Sequence, residues 1–243
     1  MKPKFLILDK DGTFIQPKSG SQFVQNPKDQ ELIPGALEAV QYYVNNEGYK
    51  VAIATNQGGC DTYTVKASQV KVGNILVSHS FNAPDLRVMD VRPSNYLVEF
   101  LLSNLMIAGY HEDDNVVIRY KSQAAASDEL AYAINLLKMN LIGYLCPDIS
   151  GHGCIQVQRI DSEIYTFNDL GYTDISKHPN CYGQFRKPGP GMINAARMQL
   201  ANVEDWQSIE CLYVGDRTED EEAAEAAGVA FMWAEDWLLP FLE

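Results

Sequence analysis

Short apolar runs that end abruptly at polar residues recur along the chain. Residues Lys4–Leu8 form the first run, which is followed by a cluster of Asp and Gly residues. The second run, 51–54, stops at Thr55, and a third run, 212–214, stops at Gly215. Continuous apolar runs of this length are typical of strands that are buried on both faces of a parallel sheet. We therefore predict three buried strands whose carboxyl ends lead into polar sequence.

Helical patterns separate these predicted strands. Apolar residues recur with helical spacing in 34–48 and in 127–139, and 219–227 is rich in helix-forming residues. A fourth apolar run follows at 229–233. Strands that alternate with helices predict an α/β fold with a mostly parallel sheet. Ligands of such sheets bind beyond the carboxyl ends of the strands, which is where the polar residues stand here.

Two carboxylates follow the first predicted strand in the sequence Asp9-Lys10-Asp11-Gly12-Thr13. A carboxylate can attack phosphorus and form an aspartyl-phosphate, which water then hydrolyses. A second carboxylate two residues later can protonate the leaving oxygen and afterwards activate that water. The same pattern also occurs in Asx-rich turns and in calcium loops, so the motif by itself leaves both interpretations open.

A second carboxylate pair, Asp216 and Asp220, follows the predicted strand 212–214. Phosphoryl transfer concentrates negative charge, which Mg²⁺ held by oxygen ligands neutralises. Asp9 and Asp216 together are candidates for holding this metal. The glutamates around Asp220 fit another interpretation, an acidic helix N-terminus that the helix dipole favours.

Lys187 stands in the sequence 186–191, just ahead of a helix that we expect to begin near Met192. A fixed lysine beside a phosphate would offset the repulsion between an attacking carboxylate and an anionic substrate. A Lys-Pro pair in a loop does not by itself indicate a function. It becomes informative only in combination with the other motifs.

Together these patterns resemble the four motifs of the haloacid dehalogenase (HAD) superfamily. They occur in the order of that family and over most of the chain, as D-x-D-G-T at 9–13, T-N-Q at 55–57, K-P at 187–188 and G-D-x-x-x-D at 215–220. The sequences at 27–35 and 186–192 are similar to subfamily IIIA, which contains histidinol-phosphate and D,D-heptose 1,7-bisphosphate phosphatases. Polynucleotide 3'-phosphatases belong to the same broad branch.

The resemblance implies a Rossmann-like three-layer sandwich that carries a Mg²⁺-dependent phosphatase site. It implies that Asp9 is the nucleophile and that Asp11 is the general acid and base, with its backbone carbonyl on Mg²⁺. The metal ligands that it implies are Asp9, Asp11 and Asp216, with Asp220 as an additional or outer ligand. The residues that it assigns to the phosphoryl oxygens are Thr55, Asn56 and Lys187.

The same branch often carries a zinc loop of the form C-x-H and C-x-C ahead of R-K-P, and 146–181 is the corresponding segment here. Thiol and imidazole ligands of this kind make tetrahedral structural zinc sites. Asp148 stands where the histidine is expected, and the final spacing is longer than in the family. The alternative is an ordinary loop in which the site has been lost. The candidate ligands are Cys146, His152, Cys154 and Cys181, with His178 as another choice for the fourth.

The excess of acidic residues in the chain bears on which substrate we expect. A formal net charge of −13 repels phosphate backbones, so we do not expect nucleic acid as a partner. The leading hypothesis is hydrolysis of a small phosphorylated metabolite of the sugar phosphate or histidinol phosphate type. A polynucleotide 3'-phosphatase is the second hypothesis. The third, from another class, is a non-catalytic phosphate-binding protein on the HAD fold.

No part of the sequence indicates a membrane or secretion. The chain contains no run of 18 or more apolar residues, and the apolar stretch near its beginning is too short for a signal peptide. Five cysteines are an odd number, which fits reduced thiols or metal ligands better than a disulfide framework. We expect a cytoplasmic protein with no membrane partner.

The spacing of the motifs predicts an insertion. Only about twenty residues separate Asp11 from Pro34, whereas the gap from Thr55 to Lys187 is far longer than one strand and helix need. We predict a phosphatase core formed by 1–60 and 123–243, and an accessory subdomain at 61–122 that shapes the substrate pocket and excludes water. The alternative is a surface or dimerisation element on another face.

Overall fold

The computed structural model describes residues 3–60, 63–77, 86–94, 97–104, 106–147, 151–167, 181, 183–201 and 206–242. The chain divides into two compact units. One unit combines Met1–Gln57 with Ala124–Glu243, and the other is Gly58–Gln123. The boundaries predicted from the sequence, 61 and 122, lie a few residues inside those of the second unit.

Strands and helices alternate in the first unit, and strands alone follow one another through most of the second. The strands are β1 (Lys4–Leu8), β2 (Ile15–Pro17), β3 (Gln30–Leu32), β4 (Tyr49–Asn56), β5 (Tyr63–Lys66), β6 (Ile75–Leu76), β7 (Leu86–Ser94), β8 (Leu97–Leu102), β9 (Ile107–His111), β10 (Asn115–Arg119), β11 (Ile142–Cys146), β12 (Ile155–Ile160), β13 (Glu163–Phe167), β14 (Glu210–Gly215) and β15 (Ala230–Trp233). The helices are α1 (Ala36–Asn45), α2 (Gln123–Leu137), α3 (Gly191–Ala201), α4 (Thr218–Ala227) and α5 (Ala234–Leu238). Among the described residues, none of the helices has the length and apolar character needed to span a membrane.

The main sheet of the first unit is mixed. Within the described part of the chain it has seven strands in the order β13-β12-β11-β4-β1-β14-β15. The five strands β11, β4, β1, β14 and β15 run parallel to one another. The remaining two, β12 and β13, form an antiparallel edge. The predicted α/β class is confirmed, and parallel strands dominate the centre of the sheet.

Helices pack on both faces of this sheet. Phe5, Ile7 and Tyr213 belong to a buried cluster that also contains side chains of α3 and α4. Gly143 of β11 points to the opposite face, because successive residues of a strand alternate in direction and its neighbour Tyr144 belongs to that cluster. A Cβ atom added to Gly143 would lie 3.0 Å from the side chain of Leu130 on α2. The sheet core is therefore covered by helices on each side, which explains its continuous apolar strands.

The second unit is a sheet with its own core. Its six described strands are ordered β5-β10-β6-β7-β8-β9, and every neighbouring pair is antiparallel. Alternate residues of β8 and β10 are buried, and Val88, Phe100 and Ile118 are at most 1% exposed. A sheet with one buried face of this kind is structured in its own right.

The order of the central strands brings three polar segments to one edge of the main sheet. β1 lies between β4 and β14, and all three are parallel. Asp9 follows β1, Asn56 ends β4 and Asp216 follows β14. Since the carboxyl ends of parallel strands meet at one edge, these residues share the position where ligands bind in sheets of this type.

Candidate active site

Three aspartates converge beyond β1 and β14. The backbone N–H of Asp9 donates to the carbonyl of Val214 at 2.9 Å, which continues the pairing of the two strands by one residue. Each of Asp9, Asp216 and Asp220 offers a carboxylate oxygen, and these oxygens all lie within 4.8 Å of one another. The structure therefore brings together three of the predicted metal ligands.

Lys187 joins two of these aspartates. Its Nζ atom lies 2.5 Å from Oδ1 of Asp9 and 2.6 Å from Oδ1 of Asp220, and its side chain is 5% exposed. The backbone around Lys187 is fixed by Asn56, whose Oδ1 accepts from the Lys187 N–H at 3.1 Å and whose Nδ2 donates to the Lys187 carbonyl at 3.2 Å. The peptide bond between Lys187 and Pro188 is cis. The lysine is thus held beside the predicted nucleophile from both its backbone and its side chain.

Asp220 is held by residues of β14 and of the loop that precedes α4. The Tyr213 hydroxyl donates to Oδ1 of Asp220 at 3.0 Å, and the backbone N–H of Arg217 donates to Oδ2 at 3.1 Å. A Cβ atom on Gly215 would lie 2.4 Å from the Cβ of Asp220, so a larger residue there would displace this carboxylate. Tyr213 was not identified from the sequence, although a tyrosine in an apolar strand needs a buried partner for its hydroxyl.

The turn at Gly12 brings the first motif against Asp216. Gly12 has a φ of +84°, which glycine adopts without strain, and an added Cβ atom would lie 2.1 Å from Oδ2 of Asp216. Oδ1 of Asp216 is buried and has no hydrogen-bond partner among the described residues. A buried carboxylate oxygen without a partner is rare, and a bound cation is one of the groups that satisfy it.

The electrostatics of the aspartates also fit a cation. Burial raises the pKa of Asp9 to about 7, against the opposing effect of the Lys187 ammonium. Burial likewise raises the pKa of Asp216. Burial thus disfavours the ionised carboxylates, and a divalent cation would stabilise them. Carboxylate oxygens suit a hard cation such as Mg²⁺, and the residues that would hold it are Asp9, Asp216 and Asp220.

The carboxylate of Asp11 stands apart from this group. Its Oδ1 accepts a hydrogen bond from Nζ of Lys10, and its Oδ2 accepts one from Nε2 of Gln57 at 3.2 Å. The Asp11 side chain is 35% exposed, whereas that of Asp9 is 7% exposed. An accessible carboxylate beside a buried one suits the exchange of a proton with a leaving group and with water. The predicted contact of Asp11 with the metal concerns its backbone carbonyl and stays a prediction.

The other predicted phosphate ligands lie at the end of β4. Thr55 is buried, and its hydroxyl lies 3.5 Å from Nε2 of Gln57, which donates to it. The amide of Asn56 is engaged with the backbone of Lys187, so this residue positions the lysine. Direct contact of Thr55 and Asn56 with phosphoryl oxygens remains a prediction.

The candidate zinc loop lies only partly within the described residues. Cys146, Cys154 and Cys181 are buried in one cluster, whereas His152 is exposed. Burial raises the pKa of the Cys181 thiol to about 12, so its ionised form needs a compensating cation. Among the described residues these thiols belong to no group of three ligand atoms within 4.8 Å of one another. The loop residues outside the described part of the chain include Asp148 and His178. Zinc binding here stays a prediction.

Comparison with known proteins points to one family. The family model described as "Polynucleotide kinase 3 phosphatase" matches residues 4–237, a span that begins at β1 and includes every residue of the site. A viral protein from Autographa californica nuclear polyhedrosis virus, described as "Uncharacterized 20.8 kDa protein in FGF-VUBI intergenic region", is 36% identical over 76 residues. That similarity covers 30% of this chain and 41% of the viral protein, so the chain spans less than half of this relative.

Proposed function

Because the chain belongs to the polynucleotide kinase 3 phosphatase family, and is thus a phosphatase, we propose that it removes a terminal 3'-phosphate from a polynucleotide. The polynucleotide substrate rests on the family match, and the phosphatase chemistry rests on the buried array of Asp9, Lys187 and Asp220 beside Asp216, at the carboxyl ends of β1 and β14. This array combines a carboxylate nucleophile with a fixed ammonium group, which phosphoryl transfer requires.

The substrate class differs from the leading hypothesis of the sequence analysis. The small-metabolite hypothesis rested on the net charge of the whole chain, whereas the family match supports the polynucleotide alternative. The acidic charge is also unevenly distributed. Gly58–Gln123 contains six Lys and Arg against seven Asp and Glu, a net charge of −1, so the remaining residues carry −12 of the −13. The second unit thus repels a phosphate backbone far less than the net charge suggests.

The proposed reaction has two steps. The Asp9 carboxylate attacks phosphorus, the bond from phosphorus to the 3' oxygen breaks, and Asp11 gives its proton to that oxygen. Asp11 then takes a proton from water, whose oxygen attacks the aspartyl-phosphate, releases phosphate and restores the Asp9 carboxylate. In both steps the ammonium group of Lys187 compensates the negative charge of the phosphoryl group beside Asp9. Mg²⁺, held by Asp9, Asp216 and Asp220, would neutralise phosphoryl charge when bound.

The finer fold assignment belongs to the same proposal. A Rossmann-like HAD sandwich requires a parallel central sheet with helices on both faces and its four motifs beyond the strand ends. The parallel strands β11, β4, β1, β14 and β15, and the helices on opposite faces of them, support it. The meeting of Asp9, Asn56 and Asp216 at one edge gives further support.

A substrate panel tests the proposal. The purified protein with Mg²⁺ is given an oligonucleotide with a 3'-phosphate, the same oligonucleotide with a 5'-phosphate, histidinol phosphate and a hexose phosphate, and phosphate release is measured. We expect kcat/KM to be highest for the 3'-phosphate, with Asp9→Asn as the inactive control. A preference for histidinol phosphate or the sugar would restore the small-metabolite hypothesis. Phosphate binding without turnover of any substrate would favour the non-catalytic alternative.

A further inference from the structure

We propose that Lys10 is a positioning residue which, together with Gln57, fixes the carboxylate of Asp11 for proton transfer to the leaving oxygen. This inference rests on the proposed phosphatase mechanism and adds a residue to it. Lys10 lies between the two aspartates of the first motif, in a position where the resemblance to known phosphatases assigns no role.

The burial of Lys10 is the first observation. The residue is fully buried, although it directly follows the nucleophile at the edge of the sheet. Its Nζ atom donates to Oδ1 of Asp11 and, at 3.3 Å, to Oε1 of Gln30. Burial of an ammonium group without such partners is strongly unfavourable, because the group loses its hydration. The buried ammonium group of Lys10 is therefore paired with two specific hydrogen-bond acceptors. One of them is the side chain of Asp11, the residue that we expect to protonate the leaving oxygen.

Gln30 is in turn fixed in one orientation. Its Nε2 atom donates to the carbonyl of Glu129 at 3.0 Å and to the carbonyl of Pro27 at 3.1 Å. Both amide hydrogens have acceptors, which leaves Oε1 as the atom that faces Lys10. Since Gln30 begins β3 and Glu129 belongs to α2, two regular elements hold the lysine in place.

Gln57 completes the arrangement from the other side of the carboxylate. Its Nε2 atom donates to Oδ2 of Asp11, and its backbone N–H donates to the carbonyl of Cys146 at 2.9 Å. The two oxygens of Asp11 thus have separate donors, one from the loop after β1 and one from the residue that follows β4. A carboxyl group held at both oxygens has a defined rotamer, and each oxygen keeps a second lone-pair site that can carry the proton transferred in general acid catalysis.

The alternative is that Lys10 only stabilises the fold by pairing a buried charge. The two roles are separated by the leaving group of the substrate. A sugar alkoxide must be protonated as it leaves, whereas 4-nitrophenolate leaves without a proton. Loss of Asp11 alignment should therefore slow phosphoryl transfer from a 3'-phosphate and spare transfer from 4-nitrophenyl phosphate. A general loss of structure would slow both reactions by the same factor.

The test compares kcat/KM for both substrates in the full-length protein with Mg²⁺, because this parameter reports the first transfer to Asp9. We expect Lys10→Met to lower kcat/KM for the 3'-phosphorylated oligonucleotide about 100-fold, within the range of general acid catalysis. The value for 4-nitrophenyl phosphate should change less than about threefold, since its reaction lacks that step. The matched control is Lys50→Met, a lysine at the opposite end of the same sheet, which should alter neither value.

Equal losses for the two substrates, or no loss for either, would overturn the role of Lys10. If Lys10→Met does not fold, as judged by circular dichroism, Gln57→Leu gives the same test through the other donor and should show the same selective loss. An inactive wild-type protein would instead contradict the proposed function. If the wild type prefers another alkyl phosphate, that substrate replaces the oligonucleotide and the contrast with 4-nitrophenyl phosphate is unchanged.

Discussion

At the residue scale, one lysine is shared by two buried aspartates. Lys187 lies within 2.6 Å of an oxygen of Asp9 and of Asp220, and all three side chains are less than 10% exposed. Removing one member of such a buried group leaves uncompensated charge, which is more damaging than loss of the contact itself. Conservative changes that keep the shape of the side chain are therefore the informative ones.

Asp9→Asn tests the nucleophile in this way. The amide has the shape of the carboxylate but cannot attack phosphorus, so we expect kcat to fall by about 10⁴-fold or more. The fold should be kept, because burial already disfavours the ionised form of Asp9. Phosphate release and the midpoint of thermal unfolding are measured together. Turnover within tenfold of the wild type would rule out Asp9 as the nucleophile.

Tyr213→Phe tests the residue that the sequence analysis missed. The change removes the hydroxyl that donates to Asp220 at 3.0 Å, and a hydrogen bond to a charged group contributes about 2 kcal/mol. We expect the free energy of unfolding to fall by this amount in urea titrations. Tyr165→Phe, on the edge strand β13 and 46% exposed, is the control. Equal effects of the two changes would show that the Tyr213 hydroxyl has no special role.

At the element scale, the strand ends were predictable and the contacts between them were not. Apolar runs that stop at Asp9, Thr55 and Gly215 identified β1, β4 and β14, because a strand covered on both faces has a continuous apolar sequence. Tyr213 and Lys10 were not singled out from the sequence. The Asp220 partner of Tyr213 lies on another element, and the burial of Lys10 against Gln30 depends on a contact 20 residues away. The strands of the second unit were also missed, because short alternating patterns are weak indicators of structure.

The aspartates at these strand ends predict a requirement for a divalent cation. We expect EDTA to abolish phosphatase activity and Mg²⁺ to restore it. Mg²⁺ should also raise the midpoint of thermal unfolding, because a ligand of the folded state stabilises it. Asp216→Asn removes an oxygen of the group and should eliminate this thermal shift. Full activity in EDTA would contradict the metal role of Asp216.

The cysteine cluster beside β11 and β12 gives a second metal prediction. If the loop 146–181 holds zinc, elemental analysis of protein purified without added metal should find about one zinc per chain, as for a single structural site. Without zinc, the thiols of Cys181 and Cys211 should alkylate slowly at pH 8, because burial raises the pKa of each to about 12 and little thiolate is present. Zinc below about 0.1 per chain would remove the zinc hypothesis.

At the scale of the whole molecule, the candidate active-site residues and the inserted segment belong to separate compact units. The second unit, Gly58–Gln123, begins one residue after Gln57, which contacts Asp11. Its two ends lie side by side, since the backbone N–H groups of Tyr120 and Lys121 donate to the carbonyl of Gly59 at 3.1 and 2.8 Å. A compact unit with adjacent ends can be removed without opening the sheet that carries the site.

Replacing Gly58–Gln123 by a short Gly/Ser linker tests the proposed role of this unit in substrate binding. We expect kcat/KM for 4-nitrophenyl phosphate to stay within about threefold of the wild type. That for a 3'-phosphorylated oligonucleotide should fall at least tenfold, because contacts remote from the reacting bond are lost. A folded variant with equal activity on both substrates would favour the alternative of a surface or dimerisation element.

The paired ends of this unit also bear on how the molecule unfolds. The inserted segment leaves the host unit and returns to it at neighbouring residues, so it adds little to the loop entropy of the host. It also has its own buried core, and we therefore expect it to unfold separately from the host. The midpoints predicted above for Asp9→Asn and for Mg²⁺ therefore refer to the transition of the host unit, which has to be separated from that of the inserted segment. Denaturation followed by intrinsic fluorescence would report chiefly on the host, since all three tryptophans of the chain, Trp206, Trp233 and Trp237, lie outside the inserted segment.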